Sequence, residues 1–235
     1  MNLKALLLLW DQPTKVSFSL IFLLILAEIV FFKKRRKSLK SSLVVILSTL
    51  LICLLVVGLG RFWLSQRHFL AAQDFAKKNL GQETIQELKK AVYFNPLNDM
   101  YHLSLAQASL ALANQEAKRE NPNQERVEKM VKEAIEEGKK ATLIAPEKVQ
   151  NWLGLGNIYR FLGAIAGAKD WAIKCYKKAL ELDPNNAQIH QLLASVYFSQ
   201  GKIEETKAEL ETALSLVEEN SPNFQRIKKE LERLK

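Results

Sequence analysis

The sequence predicts an all-α chain: two transmembrane helices, then an α-solenoid of about four helical hairpins, then a C-terminal capping helix. Three observations carry that prediction. Residues 16–32 hold a single charge, Glu28, and residues 43–60 hold none, so each run can cross a hydrocarbon layer about 30 Å thick. From residue 65 onward, apolar and small residues recur at helical spacing in blocks closed by Pro96, Pro146 and Pro184. The last fifteen residues open on Ser221-Pro222 and carry one apolar stripe.

Residues 1–15 form a short N-terminal segment. Ala5 to Trp10 is apolar, but Asp11-Gln12-Pro13 interrupts it. It is too short for a signal peptide and lacks a small-residue cleavage site. Two placements fit it, the outer membrane interface or the remnant of a longer membrane region.

Residues 16–64 are expected to form a two-helix transmembrane hairpin. Its loop, residues 33–40, contains Lys33, Lys34, Arg35, Arg36, Lys37 and Lys40 with no acidic residue. Basic loops are retained on the cytoplasmic side, and the opposite flanks carry only Lys4, Lys15 and Asp11, and Arg61 and Arg67. Both termini and the repeats are therefore expected outside the cytoplasm of a bacterial-type, multi-pass cell membrane. A basic run of this kind also resembles nucleic-acid or import patches, but one held between two spans can reach neither. Attraction to anionic lipid is its by-product. Glu28 is read as snorkelling toward Lys33 or the headgroups, since the other span offers only Ser48, Thr49 and Cys53 as polar partners. Phe62 and Trp63 suit the far interface.

The net charge of +9 follows the same division. Residues 65–235 contain 25 Lys and Arg against 23 Asp and Glu, so +7 of the total belongs to the membrane part. The repeats are nearly neutral, which gives no support to nucleic-acid binding. Cys53 and Cys175 fall in a membrane span and a repeat helix, so no disulfide framework is expected.

The solenoid, residues 65–235, divides into units 65–98, 99–148, 149–186 and 187–220. The third shows the pattern best: Trp152, Leu155, Gly156 and Tyr159 on a first helix, then Ala172, Tyr176, Ala179 and Pro184 on and after a second. Large residues of one helix fill gaps beside small residues of the other, and Pro184 stops the second helix because it lacks an N–H. This spacing resembles the tetratricopeptide (TPR) repeat, and the resemblance implies stacked helical hairpins that bind protein partners.

The first unit ends on Ala91 and Pro96. The second opens at Asp99 with His102, Leu105 and Ala106, carries Ala134 and Ala141, and closes at Pro146. It is 16 residues longer than the usual 34, centred on Asn121-Pro122-Asn123, so two helices extended by about two turns are expected, a protrusion of about 12 Å. The third unit has four extra residues, in Gly163-Ala164-Ile165-Ala166-Gly167-Ala168. That loop is read either as apolar surface needing a neighbour or as a turn kept soluble by Lys169 and Asp170. The fourth unit places His190, Leu193, Ala194 and Tyr197 on its first helix, and Leu210 and Ala213 on its second. Residues 221–235 form the cap, with Phe224, Ile227, Leu231 and Leu234 on one face.

No catalytic residue, metal site or cofactor is expected. His68, His102 and His190 all occupy the place that Trp152 holds in the third unit. Copies of one solenoid place stand a repeat apart and cannot converge on one ion, so these histidines are read as packing residues with polar edges. Gly154-Leu155-Gly156 lies inside a helix and is no phosphate loop. The chain is read as no enzyme.

What the TPR resemblance implies is a concave groove lined by first helices. Its places fall on Gln150, Leu153, Asn157, Arg160 and Phe161 in the third unit and on Gln188, Gln191, Ser195 and Phe198 in the fourth. The lysines and asparagines that clamp a C-terminal carboxylate in some family members are missing. A second resemblance covers the chain as a whole. Two spans leading into repeats, with Asn95-Pro96-Leu97-Asn98-Asp99-Met100-Tyr101 and Leu105-Ala106-Gln107-Ala108, are similar to the C-terminal end of bacterial O-antigen-ligase-like membrane proteins. The many preceding spans and large loop of those glycan polymerases are absent.

The expected function is a membrane-anchored scaffold that binds a protein partner or peptide segment, within cell-envelope or surface-polysaccharide assembly. Two alternatives stand beside it: a split tail or accessory subunit of a multispan glycan-assembly enzyme, and a cytoplasm-facing receptor for a targeting or chaperone system.

Overall fold

The computed structural model describes residues 39–163 and 165–234. The first expected span and all of the basic loop but its last two residues, 39 and 40, lie outside these residues, as does the segment 1–15. Among the described residues there are nine helices and no strand.

The first, α1, runs from Leu39 to Lys77. Within it, Ile46–Lys77 is long and apolar enough to cross a membrane, by length and composition. Ile46, Leu47, Leu50, Leu51, Leu54 and Leu55 are all exposed along it. The expected boundary between residues 64 and 65 falls within α1. No proline interrupts the helix there, and the Ser65 hydroxyl turns back to donate to the Phe62 carbonyl at 2.6 Å. The compact repeat unit begins at His68.

The remaining helices pair as hairpins. The last part of α1 packs with α2 (Gly81–Phe94), α3 (Asp99–Ala117) with α4 (Gln124–Ile144), α5 (Val149–Phe161) with α6 (Ala168–Leu182), and α7 (Ala187–Ser199) with α8 (Ile203–Ser215). A final helix, α9, spans Pro222–Glu232. Each hairpin also packs on the next, α2 on α3, α4 on α5 and α6 on α7, and α3 touches α5 directly.

Local sequence sets the helix starts. Asn98, Asn123 and Asn186 accept backbone N–H groups of the first turns of α3, α4 and α7, and Ser221 does so for α9, with Pro222 in the first turn. Each satisfies a donor that the helix cannot. In the second hairpin α3 and α4 are 19 and 21 residues long, against 13 and 15 for α5 and α6. The extension carries a buried carboxylate, Glu116, paired with Arg119 at 3.0 Å and Arg126 at 3.7 Å.

Three apolar clusters run along the solenoid. Phe69, Ala72, Leu88, Ala91 and Tyr101 join the first two hairpins, and Ala106, Leu155, Tyr159, Ala172, Tyr176 and Leu193 join the second to the fourth. Ala194, Leu210, Ala213 and Ile227 seat α9 on the end, with Leu231 and Leu234 beside them. Close approach in the third hairpin depends on glycine. A Cβ on Gly156 would lie 2.6 Å from the Tyr176 ring, and one on Gly154 would lie 2.2 Å from Leu103 Cδ1 of the preceding hairpin.

The loop after α5 corrects one expectation. Lys169 and Asp170 are not merely solvated: Lys169 Nζ donates to the Ser199 carbonyl at 2.6 Å, and Gln200 donates to Asp170 at 2.9 Å. Both tie the third hairpin to the turn of the fourth. Ile165 remains exposed.

Candidate binding groove

A pocket of about 260 Å³ opens between α3 and α5. Its walls are Gln107, Leu110, Ala111 and Asn114 from α3, and Gly154, Asn157, Ile158 and Phe161 from α5. The site therefore lies between the second and third hairpins, where small residues let two first helices approach. Asn157 is fixed in orientation: its side-chain oxygen accepts the Tyr176 hydroxyl at 2.8 Å, which leaves its NH₂ for a ligand. Burial pushes the Tyr176 hydroxyl up to about 12, so it stays a donor.

Of the residues expected in the groove, Asn157 and Phe161 line this pocket. Leu153 instead packs against the central cluster as a partly buried core residue. Gln150, Arg160, Gln188 and Phe198 are exposed outside it. Ser195 is also exposed and donates to the Leu192 carbonyl at 2.7 Å. Gln191 is engaged by the cap, its side-chain oxygen accepting Arg226 at 2.5 Å. The α3 wall was missed by sequence reasoning, although register carries it, since Gln107 holds the place in the second unit that Asn157 holds in the third. Asn114 has no such equivalent, because it sits on the extension.

The signature residues sit in the packing layer. Leu155, Tyr159, Ala172, Tyr176 and Ala179 are buried, and Gly156 meets Tyr176. Trp152 donates its indole N–H to the Pro146 carbonyl at 2.7 Å. His102 and His190 make the same bond to the carbonyls of Pro96 and Pro184, at 2.9 and 3.2 Å.

Each histidine also meets a glutamate from the second helix of its hairpin: His68 with Glu87 at 2.6 Å, His102 with Glu137 at 2.5 Å, and His190 with Glu209 at 2.6 Å. The partner stands 19 residues on in the first and fourth hairpins and 35 on in the second. The difference is the length of the insertion. In the third hairpin, four residues longer, the matching position is Cys175, which is buried in the cluster against which Trp152 packs. Burial pushes its thiol up to about 12, so it is an inert packing group. Among the described residues no three potential metal ligands converge.

Hairpins two and three are further joined by Asp99, which accepts Lys148 at 2.8 Å and Asn151 at 3.0 Å. Burial would raise the Asp99 carboxyl, but these donors outweigh it and hold it low. The buried Asn151 amide also reaches the carbonyls of Ala141 and Ala145, at 3.0 and 3.1 Å, and so closes the end of α4.

Comparison with known proteins finds repeats of this kind. Residues 167–201 match the TPR repeat and residues 187–220 the tetratricopeptide repeat, so the chain carries TPR repeats. No curated protein matches. Among solved structures, the chain is similar to a thermophilic TPR protein of Thermus thermophilus, with a TM-score of 0.56 and 24% identity over 72% of this chain and 80% of that one. A MamA structure aligns with a TM-score of 0.56 and 18% identity, over 73% of this chain and 80% of the other. MamA 41-end from Desulfovibrio magneticus gives 0.56 and 12% identity, over 73% and 83%. At such identities the likeness concerns the fold alone, an all-α TPR-like solenoid.

Proposed function

We propose that this chain is a non-catalytic scaffold whose groove between α3 and α5 holds an uncharged, extended segment of a protein partner. The observation that carries the reading is the make-up of the pocket wall. Three amides, Gln107, Asn114 and Asn157, stand among Leu110, Ala111, Ile158 and Phe161, and no charged side chain lines the space. Amides offer both donors and acceptors to a peptide backbone, while the apolar residues take its side chains.

The apolar stretch of α1 supports a second part of the proposal, that the scaffold is anchored in a bacterial-type membrane. With the basic residues at 33–40 held inside, the repeats work at the outer face, in envelope or surface-polysaccharide assembly.

Photo-crosslinking in cells tests the groove. A photoreactive residue at position 111 captures a partner, and changing Asn114 and Asn157 together to alanine lowers that capture about tenfold, the loss of roughly two hydrogen bonds. Equal yields from both proteins would remove the pocket from the interface. Protease added outside intact spheroplasts should digest the repeats, and protection there would place them in the cytoplasm. Copurification of a multispan glycan-assembly enzyme would identify the chain as its accessory subunit.

A further inference from the structure

His102 stands apart from the other two histidines because it is buried; as at His190, both of its ring nitrogens face oxygen acceptors. Nδ1 is 2.5 Å from Glu137 Oε2, and Nε2 is 2.9 Å from the Pro96 carbonyl. A carbonyl has no hydrogen to give. The carboxylate has none either while it is ionised, and its other oxygen takes Lys140 Nζ at 2.7 Å, which an ionised group does best. Both nitrogens must therefore carry hydrogen, so the ring is an imidazolium.

We infer that His102 and Glu137 form a proton-held latch on the second hairpin, closed while the imidazolium is present and loosened when alkaline solution removes its proton. The bond to Glu137 joins α3 to α4, and the bond to Pro96 joins α3 to the turn that ends the first hairpin. Deprotonation leaves one of these two oxygens against a nitrogen lone pair in a place closed to water. The same helix α3 supplies Gln107, Leu110, Ala111 and Asn114 to the groove, so the latch sits on a groove wall.

The charged groups around the latch are otherwise matched. On α4 Lys140 and Glu137 pair with each other. On α2 Glu87 pairs with His68 and Lys90, and Lys89 pairs with Glu133 of α4. On α3 itself Asp99 is held by Lys148 from the turn before α5. Burial alone would pull the His102 proton off early; the bonds to Glu137 and Pro96, with the charge of Glu137, outweigh it and hold the proton above the ordinary imidazole range.

The third hairpin supplies the control, since Trp152 keeps the same carbonyl bond through an N–H that does not titrate in this range. The experiment uses the full chain in detergent micelles with ¹⁵N-labelled histidine. With three histidines in the chain, single histidine-to-glutamine variants assign each ring. The His102 ring should show two protonated nitrogens at neutral pH. Hydrogen exchange, corrected for its intrinsic pH dependence, should then show protection in α3 and α4 falling roughly tenfold for each pH unit by which the solution climbs from about 6.5 toward the folded His102 value. The H102W and E137C double variant should lose that pH dependence. Should it fail to fold, Glu137→Gln serves, because its His102 should titrate at or below the ordinary value. A neutral His102 ring at pH 6.5 in the wild-type chain, or an unchanged protection profile in either variant, would overturn the latch.

Discussion

In the third hairpin an indole and a buried thiol occupy the two places that an imidazole and a carboxylate occupy in the second. Trp152 and His102 both hand a ring N–H to the carbonyl of the proline that ended the previous unit. They differ in what faces the rest of the ring. Trp152 packs against the apolar cluster that contains Cys175. Behind His102 stands Glu137, and the fit depends on two charges that are both out of water. Burying such a pair is rarely better for stability than burying hydrocarbon, but breaking it leaves a lone charge inside. The second hairpin should thus tolerate joint replacement of its pair and not the loss of one member.

The largest expected effect breaks the polar side of that contrast. Glu137→Ala leaves the buried His102 ring without its partner and should destabilise the second hairpin by about 3–5 kcal/mol, whereas the H102W and E137C pair should cost far less. Thermal unfolding of the two variants at pH 6 distinguishes the cases. Equal losses would mean that volume and not charge governs the site.

The apolar side breaks through shape. Gly156→Ala places a methyl group 2.6 Å from the Tyr176 ring, which must tilt or push α5 from α6, at about 1–3 kcal/mol. Urea unfolding followed by hydrogen exchange in α5 and α6 measures it. A loss confined to the third hairpin is expected, since a solenoid's stability is a sum of local units and their interfaces.

Between the two hairpins lies a junction that neither solution supplies. Asn151→Ala removes an NH₂ whose two hydrogens are shared among three acceptors and leaves the Ala141 and Ala145 carbonyls without that donor, with an expected cost of about 1–3 kcal/mol. The same variant should release Asp99 toward the ordinary carboxyl range, which a carboxyl-detected NMR titration reads directly.

Acidity separates the hairpins as well. The folded His102 value is raised, so its contribution is complete below about 6.5 and fades as pH rises through the folded value. The bonds to His102 and Lys140 outweigh burial and hold Glu137 below its ordinary range, so its contribution is complete above the ordinary value and fades as pH falls through the folded one. The second hairpin is therefore most stable between about pH 5 and about 6.5, while the Trp152 site carries no such window.

The register that allows this comparison was legible in the sequence, because proline, alanine and the large residue at the fourth place repeat at fixed intervals. The histidines were read as equivalents of Trp152 for the same reason. Their glutamate partners were not read, although the offset from each histidine is constant once the insertions are removed. A carboxylate on a lysine-rich helix looks like a solvated face until the opposite helix is in place. Of the expected groove residues, Asn157 and Phe161 line the pocket between α3 and α5, Leu153 packs partly buried against the central cluster, and Gln191 is engaged by Arg226 of α9. The last two placements depend on where a separate element docks, and spacing within one unit does not carry that information.

The smallest expected effect sharpens the contrast without breaking either side. Lys140 is half exposed and pairs with the outer oxygen of Glu137, so Lys140→Ala should change stability by only about 0.2–1 kcal/mol. Its effect on titration should still have a definite sign. The lysine charge opposes the imidazolium, so its removal should raise the His102 value further, while Glu137 loses a donor and rises toward its ordinary range. Ring-nitrogen NMR of His102 across the titration measures the first shift. A fall in the His102 value would mean that Lys140 acts mainly by orienting Glu137, so that the latch depends on the geometry of the carboxylate more than on the sum of nearby charges.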